Sequence, residues 1–285
     1  MPWGGADSCD DRVRSGSKGV RLDLELTGKT ALVTAASEGL GLACAMQLAK
    51  AGCRVAICAR DPSKLGAARC EIEQARPGLA PVAIETDLAD RDRTEALFDV
   101  AVDRLGGIDL LVINSGHMPY GCFEELTDAD WYCSFELLLM SALRLSRRAA
   151  AHMRGRGRGD IVLITAAGAK HPSPQLVLSN VMRAGLATLA KSMADELAPA
   201  DIRVNVVAPG YFDTGRVSSR VDALVVTERL DRNEAARRVA GAIPLARLGT
   251  AEELADLVVF VLSRRAGFMT GATILMDGGA GRSAF

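Results

Sequence analysis

The chain is expected to fold as one doubly wound α/β domain, a parallel seven-stranded sheet with helices on both faces. Three observations carry that expectation. Short runs rich in β-branched and apolar residues recur along residues 24–285. Helix-length amphipathic stretches separate them, and most of the runs are apolar throughout, as strands covered on both faces are. Strands that alternate with helices are joined by crossovers and therefore run parallel. The expected strands occupy residues 30–34, 54–59, 81–85, 108–113, 161–165, 202–207 and 272–275. Helical patterns cover residues 40–51, 62–75, 91–105, 127–153, 176–197 and 251–263. Residues 215–243 are charged and helical in composition without a strand pattern, and read as an inserted substrate lid. Residues 1–23 open with a stretch rich in Gly, Ser, Asp and Arg and read as a mobile leader, which leaves the domain at 24–285.

Composition narrows the function classes. A chain of 285 residues, 49% of them hydrophobic, is long enough to bury one large core. A formal net charge of −1 gives no whole-chain attraction for nucleic acid or an anionic membrane. The Arg154-Gly155-Arg156-Gly157-Arg158-Gly159 run fills a short helix-to-strand connection and reads as a solvated turn, not an RNA contact. The seven cysteines are scattered without metal-type spacing, so no metal site is expected and the reduced cytoplasm is the simplest setting. No apolar run reaches the roughly 20 residues of a membrane helix.

After the first strand comes Thr34-Ala35-Ala36-Ser37-Glu38-Gly39-Leu40-Gly41. A tight strand-to-helix turn turns backbone N–H groups and the positive helix end toward a pyrophosphate, and a side chain at Gly39 or Gly41 would obstruct the approach. Asp87-Leu88 follows the third strand, Asn114-Ser115-Gly116 closes the fourth, and Pro209-Gly210-Tyr211-Phe212-Asp213-Thr214 follows the sixth. Met269-Thr270-Gly271 and Met276-Asp277-Gly278-Gly279 bracket the last strand.

Taken together these motifs resemble the short-chain dehydrogenase/reductase family over about residues 24–279. The resemblance implies a Rossmann-like dinucleotide-binding domain. It assigns Thr34, Ser37, Glu38, Gly39, Leu40 and Gly41 to the phosphate turn, and Asp87 and Leu88 to the adenine side. Asn114, Gly116, Pro209, Gly210 and Thr214 fall on the nicotinamide side. Ala35 stands where the family has its first glycine. Alanine costs little unless φ is positive there, so altered turn geometry is expected, with binding kept. The second strand ends in Ala59-Arg60, where an NAD-binding relative carries an acid. Arg60 can make a charge-assisted, two-pronged contact with a 2′-phosphate, so NADP is favoured over NAD. Glu38, where many NADP-binding relatives carry a base, argues the other way.

The resemblance also exposes a departure. In the family a serine at the end of the fifth strand, and a tyrosine and lysine on the next helix, carry the proton chemistry. Aligned on residues 184–194, those positions fall on Ala166, Ser179 and Arg183, and the family's helix asparagine falls on Leu138. An alkyl hydroxyl is a much weaker acid than a phenol of pKa about 10 and reaches less far. Arg183 keeps the charge and can hold the nucleotide ribose, but its fork is not a compact ammonium. One turn apart, Ser179 and Arg183 share a helix face and can act on one ligand. Candidate proton-transfer groups are Ser179, Arg183, Thr165, Asn114, His117 and Tyr211, with His171 beside them. The Leu178-Ser179-Asn180-Val181-Met182-Arg183 pattern resembles an atypical branch with Ser-Asn-x-x-Arg in the helix.

Three functions stay open. They are an NADP-dependent oxidoreductase acting on a carbonyl/alcohol pair with non-standard proton transfer, a non-redox cyclase, dehydratase or isomerase on the same scaffold, and an NADP(H)-binding regulatory protein. The expected partner is a small-molecule substrate. A homodimer or homotetramer is expected through residues 176–197 and 251–263, which carry apolar residues on more than one face.

Overall fold

A computed structural model describes residues 22–282, apart from the side chains at positions 216, 219, 220, 223 and 227. All of the expected leader before residue 22 lies outside the described residues. The strands are β1 (Thr30–Val33), β2 (Arg54–Ala59), β3 (Val82–Glu85), β4 (Leu110–Ile113), β5 (Gly159–Ile164), β6 (Ile202–Pro209) and β7 (Thr273–Met276). They form one all-parallel sheet in the order β3-β2-β1-β4-β5-β6-β7. The strand order reverses between β1 and β4, so their carboxyl ends open the crevice in which doubly wound sheets hold ligands.

Every residue of β1 and β4 is buried. That follows from helices on both faces, and it explains why these strands read as unbroken apolar runs. The helices α1 (Gly39–Lys50), α2 (Pro62–Ala75) and α9 (Ala251–Leu262) contribute Leu48, Ile72 and Leu254 to the core on one face. On the other, α3 (Arg91–Leu105), α5 (Ser141–Arg156) and α6 (Val177–Leu197) contribute Phe98, Leu145 and Leu186. Local signals fix the ends. Asp61 caps Ser63 and Lys64 ahead of α2, and Asp90 caps Arg93 in α3, which ends on Gly106 at φ 75°. Thr250 and Glu253 form a reciprocal capping box on α9.

Two expectations are corrected. Residues 127–153 are not one helix. They form α4 (Asp128–Ser134), a π-helical segment (Phe135–Met140) and then α5. Ser134 Oγ donates to the Asp130 carbonyl and Ser141 Oγ to that of Leu137, so hydroxyls compete for the carbonyls of the helical ladder on either side of the π segment. Residues 215–243, read as helical without a strand, do hold two helices, α7 (Gly215–Glu228) and α8 (Arg232–Gly241), with their own small core of Val217, Val221, Ala235 and Val239. Finally, the apolar residues read as a second face on α6 and α9 belong to the domain core. Leu186, Leu254, Val258 and Val261 are buried, while Leu189, Met193 and Leu257 are partly buried and pack against the two core clusters. No helix among the described residues is long and apolar enough to cross a membrane. Within the Gly/Arg run, Arg154 pairs with Glu196 and Arg156 with Asp109, partners from this chain's own fold.

Candidate active site

The Gly-rich turn is fastened to β4. Thr34 Oγ1 donates to the Asn114 carbonyl at 2.6 Å and accepts from the Asn114 N–H at 3.0 Å, while Asn114 Nδ2 donates to the Ala35 carbonyl at 3.1 Å. A Cβ on Gly41 would stand 2.4 Å from that same carbonyl oxygen and 2.8 Å from Asn114 Nδ2, so only glycine fits. Ala35 adopts φ 46°. The turn therefore keeps a left-handed conformation at Ala35, and the expected change of geometry is replaced by strain of about 1–2 kcal/mol. Helix α1 starts without a side-chain cap, and its first residues, Gly39 and Leu40, line the crevice. Uncapped N–H groups at a helix start are the feature that receives a phosphate.

The crevice is a cavity of about 560 Å³. At one end stand Ser37, Glu38, Ala59, Arg60 and Leu88. Glu38 is not an isolated negative charge there: Lys64 Nζ, from the first turn of α2, donates to Glu38 Oε2 at 2.8 Å. Sequence reasoning missed Lys64, although its place just after the Asp61 cap put it one turn beyond Arg60. The side-chain hydrogen bond to Glu38 raises the Lys64 pKa. Asp87 is absent from the cavity wall. Its carboxylate accepts from the Ala89 N–H at 3.0 Å, and its neighbours Thr86 and Leu88 line the cavity instead.

In the middle, Asn114, Gly116 and Thr214 line the wall, and the Thr214 methyl meets Gly39. The far end is formed by His117, Thr165, Arg183, Pro209, Gly210 and Tyr211, with Ala166 and His171. Thr34, Gly41 and Ser179 do not line the cavity. The first two build the turn, and Ser179 is buried behind Arg183. Arg183 Nε donates to Ser179 Oγ at 3.2 Å, and its Nη1 donates to the Ile164 and Thr165 carbonyls at 3.1 and 3.0 Å. Asn180 Nδ2 donates to the Ser173 carbonyl at 2.8 Å, and its Oδ1 sits where a Gly168 Cβ would clash at 2.5 Å. The Ser-Asn-x-x-Arg residues therefore clamp the end of β5 and the loop that follows it. Thr165 Oγ1 is buried with no protein partner among the described residues. No cluster of metal-ligating side chains occurs among the described residues.

Residues 34–281 match the enoyl-(acyl carrier protein) reductase family model. A curated relative, dehydrogenase/reductase SDR family member 4 of Sus scrofa, is 31% identical over 268 residues, covering 94% of this chain and 92% of its own. This chain belongs to the short-chain dehydrogenase/reductase family. Among solved structures, the L-sorbose reductase of Gluconobacter frateurii, complexed with NADPH and L-sorbose, has a TM-score of 0.88 at 31% identity, covering 92% of this chain and 100% of that one. A short-chain oxidoreductase from Pseudomonas aeruginosa PAO1, described as containing an atypical catalytic center, has a TM-score of 0.83 at 33% identity, covering 90% and 98%.

For a member of this family, the turn, uncapped helix and Arg60 fit a phosphorylated dinucleotide laid along the cavity. Position 166 offers only a methyl group, and the position 179 hydroxyl is turned to a guanidinium. Besides Arg183, polar groups on the wall come from loops, among them His117 and His171 after β4 and β5 and Tyr211 from the turn after β6.

Proposed function

We propose that this short-chain dehydrogenase/reductase is an NADP(H)-dependent oxidoreductase that interconverts a carbonyl and an alcohol, with the proton handled by side chains outside α6. One observation carries the reading: Arg60 lines the nucleotide end of the cavity next to Ala59, so a cation and no strand-end carboxylate meets the position of a 2′-phosphate. NADPH in the L-sorbose reductase complex supports it. The bound nucleotide supplies or accepts hydride. This chain's own residues do the rest. Gly39 and Leu40 present N–H groups to the phosphates, and Gly41 leaves room for the Ala35 carbonyl on which the turn depends. Arg183 fixes the β5 end and contacts the ribose side, while α7 and α8 act as a lid over the substrate end.

The test is a pair of titrations with NADPH and NADH. A charge-assisted hydrogen bond contributes about 1.5–3 kcal/mol, so Arg60→Ala is expected to weaken NADPH by roughly 10- to 100-fold and leave NADH within a few-fold. Equal losses for both nucleotides would remove the 2′-phosphate role.

A non-redox reaction on the same scaffold is favoured by a separate observation, the burial of Ser179 behind Arg183. Substrate conversion at constant NADPH absorbance would establish that second reading.

A further inference from the structure

Resting on the redox reading above, we propose that His171 is the catalytic residue that exchanges a proton with the substrate oxygen, and that Asp277 is its positioning residue. The other loop groups on the far wall are less suited. His117 is exposed at the rim, the Tyr211 side chain packs against the small core of α7 and α8, and Thr165 offers a buried alkyl hydroxyl. His171 is half-buried on the cavity wall and carries an imidazole, a side chain able both to give and to take a proton.

Its position is held from several sides. The His171 N–H donates to the Ala167 carbonyl at 2.9 Å, which places the residue one tight turn beyond Ala166. Asn180 clamps the same loop at Ser173. The ring lies against Gly281, where a Cβ would stand 2.4 Å from His171 Nε2 and 2.9 Å from Asp277 Oδ2, so the imidazole and the carboxylate flank one glycine. Asp277 is held in turn. Its oxygens accept from the Gly279 N–H at 2.9 Å and the Gly281 N–H at 2.6 Å, and its Cβ occupies the space above Gly210. Asp277 is thus a carboxylate fixed by two backbone donors beside the Pro-Gly turn, separated from the imidazole by the Gly281 backbone, and it acts on the ring by fixing the segment against which the ring packs. Other ionisable groups at this end are Arg183 from α6, Tyr211 from the turn after β6, His117 and Tyr120 from the loop after β4, and Lys170 from the loop of His171 itself.

In the reduction direction, a bound reduced nicotinamide nucleotide would supply the hydride for the new C–H bond and so be oxidised, and the carbonyl π pair would become the new O–H bond. The His171 imidazolium would give its proton to that oxygen, and the neutral imidazole would regain one from solvent.

The experiment uses the full chain with NADPH and three carbonyl probes: L-sorbose, ethyl acetoacetate and cyclohexanone. His171→Ala is expected to lower kcat by about 10²–10⁴-fold, with NADPH affinity by fluorescence titration within a few-fold. Added imidazole should restore at least a tenth of the lost rate. His171→Gln, which keeps a side chain against Gly281, should show the same loss. Asp277→Asn should lower kcat by about 10- to 100-fold, and the double variant should be no slower than His171→Ala alone. Bound probe should also shield His171 from carbethoxylation by diethyl pyrocarbonate, mapped by mass spectrometry. An unchanged kcat in both His171 variants, a loss that imidazole does not restore, or an unshielded ring would overturn the assignment. A wild-type protein that binds NADPH but oxidises it with none of the probes would overturn the redox reading, and the His171 role with it.

Discussion

Around β1 and α1 the candidate site is built on backbone N–H and C=O groups, whereas at the end of β5 and on α6 it is held by side chains. The first keeps its geometry even with alanine at position 35, because the Thr34 and Asn114 bonds hold the turn and the strain is small compared with the folding energy of a domain. In the second, Ser179 and Arg183 hold each other and the β5 carbonyls. A backbone cradle tolerates substitution until a Cβ fills it. A side-chain constellation changes its chemistry with a single replacement.

The comparison can be broken most sharply at Arg183. Arg183→Met would strand the Ile164 and Thr165 carbonyls in a buried position, at about 1–3 kcal/mol for each acceptor left unmade. Chemical denaturation should therefore show a loss of roughly 2–5 kcal/mol. A loss below about 0.5 kcal/mol, the usual scale of surface substitutions, would mean that these bonds are dispensable. In the nucleotide half, Gly41→Ala forces a Cβ against the Ala35 carbonyl, and overpacking of this kind costs about 1–3 kcal/mol. NADPH binding should fall with it, and retained affinity in calorimetry would show that the turn can open.

The opposite change sharpens the same contrast. Ala35→Gly relieves a positive φ of 46°, and should raise stability by about 1 kcal/mol after glycine's own entropic cost. A fall in Tm would contradict the strain.

The smallest effect concerns the amino-terminal edge of the sheet, away from both regions. His152 Nε2 accepts from the Ile108 N–H at 3.1 Å, which requires the neutral ring. Burial, with Arg156 adding to it, holds the His152 pKa below its ordinary value of 6.5. The unfolded chain thus binds the proton more readily, so stability present above about pH 6.5 is lost as pH falls through that value. Asp109 acts in the same direction at lower pH. Burial pushes its carboxyl up, but the Thr30 N–H, Arg156 and the Thr30 hydroxyl outweigh it and leave its pKa lowered. Its contribution fades as pH drops below the ordinary aspartate value of 3.8. Thermal melts between about pH 7.5 and 5.5 should show a falling Tm in the wild type and a flatter line in His152→Gln. Parallel lines would exclude the histidine as the cause.

Particular residues show what could be read from the chain alone. The seven strands and the turn at Gly39 and Gly41 were legible, because burial on two faces and close backbone approach leave marks on residue type. The π-helical segment at Phe135–Met140 was not, since two serine-to-carbonyl bonds leave the hydrophobic period of residues 127–153 unchanged. Nor was the pairing of Lys64 with Glu38, or the placement of His171 beside Asp277, because each joins residues from separate elements. The inward burial of Ser179 also escaped the sequence, since helical spacing gives a shared face but not which residue on it meets solvent.

All of these readings meet in the nucleotide. Calorimetric titration of the wild-type protein with NADPH and with NADH should give saturable heat for both, with NADPH at least about tenfold tighter, the equivalent of one charge-assisted contact from Arg60. Equal affinities, or no heat with either nucleotide, would contradict an NADP(H) site that reads the 2′-phosphate through Arg60.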